Sequence, residues 1–195
     1  MGHKGMEAKR MTDSTNKTLD IETCIEVGWG MLSQEVLQFL ENGQTSMKFW
    51  VMGEDRSIDV VLVGPAEMED WGGLKDTAVD FVRDRAAANG AVCVFCLSDT
   101  FYGEIPDGAT QTLCDFIASI GVQEAAKLNL CVMREAVLCQ VITPLETATL
   151  HQFYRRVDER IVLEEKKLSR TNAETGGGRL SSARIFPAYQ NAARA

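Results

Sequence analysis

The chain has 195 residues, 45% of them hydrophobic and 25% charged, and its formal net charge is −8. That length supports one well-buried core and is short for two, and the balanced composition excludes disorder of the whole chain. The acidic balance argues against a general nucleic-acid binder, because phosphate contacts need clustered Lys and Arg.

Residues 1–17 are polar and aperiodic and read as a disordered leader. From Asp20 the pattern changes: Ile21, Ile25, Trp29, Leu32, Val36 and Leu40 recur at spacings of three and four, which lines one face of a helix. Asp20 is a suitable N-cap, and Asn42-Gly43 a suitable stop. Ser46–Met52 and Ser57–Val63 are rich in strand formers around the turn signal Gly53-Glu-Asp-Arg56, and together predict a β-hairpin. A second helix is expected from about Glu69 or Leu74 to Ala88, ended by Asn89-Gly90. Ala91–Leu97 is an unbroken apolar run and reads as a central strand. Residues 103–110 are turn-like, and Gln111–Ile120 fits a short helix before Gly121.

Glu135–Thr143, Thr147–Arg155 and Arg160–Glu165 read as a three-stranded meander, on their alternation and their β-branched and aromatic content. A long helix competes, because Thr143-Pro-Leu-Glu146 has the form of a capping box with Pro at the first helical position. Residues 171–195, with Gly176-Gly-Gly178, read as a flexible tail in which Leu180–Phe186 can dock. The organisation expected is a leader (1–17), one globular domain (18–170) and that tail. The fold class is α+β, order α-β-β-α-β-(α)-β-β-β, with a mixed or antiparallel sheet and helices packed on one face.

The net charge hides an asymmetry. Residues 1–154 carry 11 Lys/Arg against 23 Asp/Glu, whereas residues 155–195 carry 9 against 5. The six cysteines all sit inside apolar runs rather than in loops, and residues 1–20 contain no apolar signal-peptide core. Reduced, buried thiols of a cytoplasmic protein fit this pattern. No stretch approaches the roughly 18–20 apolar residues of a membrane-spanning helix.

Cys93-x-x-Cys96 has the spacing of a redox or zinc motif. Within a strand, however, residues three apart face opposite sides of the sheet, so these thiols read as structural. Only His3 and His151 are available as histidine bases, and no signal pairs Cys114 or Cys139 with His151. Asp59 with Glu164-Glu-Lys-Lys167 would serve a metal-dependent hydrolase or nuclease if the fold brought them together. Gly176-Gly-Gly178-Arg179 lacks the spacing of a phosphate loop. Asp99-Thr-Phe-Tyr-Gly103 stands at the expected exit of the central strand, where polar and aromatic side chains line clefts. Asp99, Phe101 and Tyr102 are therefore the candidate cleft or interaction residues.

Gly90-Ala-Val-Cys-Val-Phe-Cys-Leu-Ser-Asp-Thr-Phe-Tyr102, Arg134-Glu-Ala-Val-Leu138 and Gly177-Gly-Arg-Leu180 resemble the skeleton of a group of small uncharacterised proteins of bacteria and their phages. The chain departs from that pattern in having Phe101 and Tyr102 near where a Trp is usual, and Met133-Arg134 without a Pro-Asp. The resemblance implies no chemistry; it favours strands in the last third.

No motif assembles a nucleophile with its base, a metal set or a cofactor loop, so no catalytic, cofactor-binding or metal residue is assigned and no cofactor is expected. The function expected is protein binding or regulation in a bacterial or phage cytosol, the partner being another protein or the chain itself. A carboxylate-based hydrolase and a subunit of a phage or other homo-oligomeric assembly are the alternatives.

Overall fold

The computed structural model of the chain describes residues 19–43, 45–63, 71–158, 160–172 and 181–187. The elements in order are α1 (Ile21–Asn42), β1 (Met47–Gly53), β2 (Ile58–Val63), α2 (Trp71–Ala88), β3 (Ala91–Glu104), α3 (Gln111–Ile120), α4 (Val122–Lys127), β4 (Val132–Ile142), β5 (Glu146–Val157), β6 (Arg160–Asn172) and α5 (Ser182–Ile185). The expected leader and Gly176-Gly-Gly178-Arg179 lie outside the described residues.

Among the described residues the strands form one six-stranded sheet in the order β2-β1-β3-β4-β5-β6, and every neighbouring pair is antiparallel. The α+β class, the strands and the order of the first three helices are those the sequence predicts; α4 and α5 are further helices that it does not. β2 and β3 flank β1 and so run parallel to each other, which obliges the chain to cross over between them through α2.

The last third is a meander. Thr143, which could have capped a helix, instead closes the β4–β5 hairpin: its amide donates to the Glu146 carbonyl at 3.0 Å, and its hydroxyl accepts from the Glu146 amide at 3.2 Å. The same short polar side chain suits either role. The choice goes to strands because β4 pairs with β3 from Val132 to Ile142.

The helices lie on both faces of the sheet, not on one as the sequence suggests. On one face α1 buries Cys24, Ile25, Leu32, Val36 and Phe39 against Cys93, Phe95, Leu97, Cys139 and Leu150. On the other, α2 and α5 bring Val79, Val82, Ala86, Ile185 and Phe186 onto Phe49, Val51, Val94, Cys96 and Ile142. The reason is legible in β3, whose residues Ala91–Leu97 are all buried: a strand apolar on both sides needs cover on both. Cys93 and Cys96 accordingly point into opposite cores.

Two glycines interrupt α1, and they differ in kind. A Cβ on Gly28 would lie 2.8 Å from Val141 Cγ2 and 2.9 Å from Leu150 Cδ1, whereas one on Gly30 would meet nothing within 4 Å. At Gly28 the helix backbone lies close against the side chains of β4 and β5. Gly28→Ala should therefore destabilise the protein by about 1–3 kcal/mol through overpacking, despite the better helix propensity of alanine. Gly30→Ala should stabilise it by up to about 1 kcal/mol. Urea denaturation of the two variants checks this, and equal effects would contradict the close approach.

Candidate functional site

β3 is 14 residues long, seven more than its apolar run, so Asp99, Phe101 and Tyr102 lie within the strand rather than at its exit. Alternation then separates them. Asp99 pairs with Val137 and Phe101 with Glu135 on the α1 side of the sheet, while Tyr102 pairs with Arg134 on the opposite side. The three candidates do not converge on one cleft. Asp99 and Phe101 instead share one face and Tyr102 the other, at the end of the sheet made by late β3, early β4 and late β5, where each face carries its own cluster.

On the α1 side the cluster is built around Tyr154. Its buried ring sits 4.7 Å from that of Phe39, and its hydroxyl donates to Glu135 Oε1 at 3.4 Å. Arg156 Nε donates to the same oxygen at 3.5 Å, and the Arg156 guanidinium lies 5.7 Å from the Tyr154 ring centre. Burial and the adjacent Glu135 carboxylate push the Tyr154 phenol up to about 12. Asp99 shares this face. Partial desolvation raises its pKa, with Glu135 adding to the shift and Arg156 opposing it.

On the opposite side Phe153 forms a buried floor. Arg134 lies over its ring at 4.1 Å, His151 is stacked against it at 5.5 Å, and Tyr102 meets it edge-on at 5.3 Å. Lys167 Nζ donates to the Tyr102 hydroxyl at 3.2 Å. Arg134 also gathers carboxylates: Nη2 is 2.7 Å from Glu164 Oε2, Nη1 is 3.8 Å from Glu104 Oε2, and Nη1 contacts Glu165. The Arg134 hydrogen bond holds the Glu165 carboxyl down to about 2. Its contribution to stability is present above the ordinary value of 4.5 and is lost as the pH falls through about 2. His151 is buried with its Nδ1 unpartnered, and desolvation pulls its pKa down.

Between these clusters an open groove of about 680 Å³ runs across the strand ends. Phe101, Val132 and Met133 give it apolar surface, and Glu104, Arg155 and Arg156 stand along it. Sequence reasoning missed Arg134, Glu135, Tyr154 and Arg156, whose convergence follows only from the β3–β4–β5 register.

The remaining chemical candidates stay apart. Asp59 is in β2 and Glu164–Lys167 in β6, at the two outer edges of the six-stranded sheet, so they form no common site. Cys139 belongs to the α1-side core, whereas His151 faces the other way beside Tyr102. Burial drives the Cys96 and Cys139 thiols far above their ordinary range. Among the described residues no three His, Cys, Asp or Glu side chains cluster as a metal site. Among them, too, no helix is long and apolar enough to cross a membrane.

The fold and this groove define an α+β protein with an antiparallel six-stranded sheet, helices on both faces and an arginine-flanked strand-end groove. No protein-family model, curated protein or solved structure matches the chain.

Proposed function

We propose that the chain is a non-enzymatic protein-binding or regulatory factor of a bacterial or phage cytosol, and that its partner docks in the strand-end groove. The observation that carries this reading is apolar surface left open there: Phe101 is 43% exposed, Met133 43% and Val132 64%. Aromatic, Met and Arg side chains are enriched at protein interfaces, and Arg155 and Arg156 flank this surface. The arginines also begin the basic end of an otherwise acidic chain, which suits a partner segment carrying acidic and apolar residues.

A photo-crosslinking residue at position 133, expressed in the cell that encodes the chain, should capture one protein in near-stoichiometric amount. Phe101→Asp should cut that capture at least about tenfold, a loss of ~1.4 kcal/mol or more. The same crosslinker at Thr112, exposed on α3, should capture nothing comparable. An unchanged capture in the Phe101→Asp variant, or none at position 133, would overturn the reading.

A further inference from the structure

The two edges of the sheet are built differently. β6 carries the devices that discourage strand addition: a run of four charges, Glu164-Glu-Lys-Lys167, and a bulge. The bulge shows in the register, where Gln152 faces Lys166 but Tyr154 faces Leu163, leaving two β6 residues opposite Phe153. β2 has neither. Its single charge, Asp59, is drawn into an ion pair with Arg85 of α2 at 3.3 Å. Ile58 and Val60 are 54% and 46% exposed on the α1 side, with Trp50 as the cross-strand neighbour of Val60.

The backbone of β2 is poised in the same direction. At the mouth of the β1–β2 hairpin the Gly53 amide donates to the Ser57 carbonyl at 3.0 Å, so Ser57 faces inward to β1. Alternation along an antiparallel ladder then turns the amide and carbonyl groups of Ile58, Val60 and Leu62 outward.

We propose that the β2 edge is the docking surface for a second copy of this chain, paired antiparallel about a two-fold axis at Val60. That register sets Val60 against the partner's Val60, Ile58 against the partner's Leu62, and Asp59 against the partner's Val61. Each pair shares a sheet face, as antiparallel pairing requires, and no like charges meet. The outward groups form about six interchain hydrogen bonds, and the two sheets become continuous. A contact using the same patch on both copies closes on itself as a dimer. For two chains of net charge −8 this is a favourable place to meet, because the one acid of the strand is already neutralised. The surface is separate from the strand-end groove, so either assignment can fail alone.

Light scattering after size exclusion, on the full chain from micromolar to near-millimolar concentration, should show a monomer–dimer equilibrium. Val60→Lys should weaken it at least about tenfold, because a charged edge blocks strand addition. Leu168→Lys on β6 should leave it unchanged. Hydrogen exchange of the wild-type protein supplies a measurement that does not depend on the variant folding: the Ile58 and Val60 amides should exchange more slowly as concentration rises. A monomer at every concentration overturns the proposal, as does a dimer whose β2 amides exchange at a concentration-independent rate.

Discussion

Replacing Lys48 by methionine should cost the fold about 3–5 kcal/mol at neutral pH, because it strands a buried carboxylate. Glu35 sits on the buried stripe of α1 with its side chain 5% exposed, and Lys48 Nζ from β1 reaches its Oε2 at 2.6 Å and its Oε1 at 2.9 Å. Gln38 accepts a third hydrogen bond from the same ammonium at 3.1 Å, and the Thr45 hydroxyl donates to Glu35. Lys48 is thus the countercharge that allows a glutamate at a core position. The loss in Lys48→Met comes mainly from the uncompensated charge rather than from the pair itself, so adding Glu35→Met should recover most of it. Urea denaturation of the single and double variants separates the two terms. A Lys48→Met cost below about 1 kcal/mol would show that water reaches Glu35.

Phe153→Ala should cost a similar amount, about 3–5 kcal/mol, through the lost transfer energy of the ring and the cavity left behind. Phe153 is fully buried at the centre of the cluster of Arg134, His151 and Tyr102. The variant also removes the face on which the Arg134 guanidinium rests, a contact worth about 0.5–2 kcal/mol. A second readout distinguishes this local opening from general loss of stability. With the ring gone, solvent reaches His151, and its pKa, held down mainly by burial, should rise toward 6.5. NMR titration of His151 below the unfolding transition measures it. An unmoved His151 pKa together with a cost under about 1 kcal/mol would contradict the role of Phe153 as the floor.

These predictions rest on register, which is also where sequence pattern and observed structure part. The α1 stripe, the turn at Gly53–Arg56 and the apolar run after Gly90 are local signals, each arising from periodicity or from a residue suited to a bend. They place α1, the β1–β2 hairpin and the start of β3 correctly. Strand alternation alone sends Cys93 and Cys96 to opposite sides, as the two cores show. The same rule, carried seven residues further along β3, separates Phe101 from Tyr102. That extension is hidden in the sequence because Ser98–Glu104 has no unbroken apolar character to mark it as strand.

Local patterning therefore suffices for the α+β class and for the type of most elements, whereas the exposure of Ile58 and Val60 follows from β2 lying at the edge of the sheet. It could not choose between hairpin and helix at Thr143–Glu146, since one side chain caps both and only pairing with β3 settles the matter. Nor could it bring Arg134 onto Phe153 or Lys48 onto Glu35, contacts between residues 19 and 13 positions apart. Such pairs depend on which strands become neighbours and in what register, and that is set by burying both faces of the sheet at once.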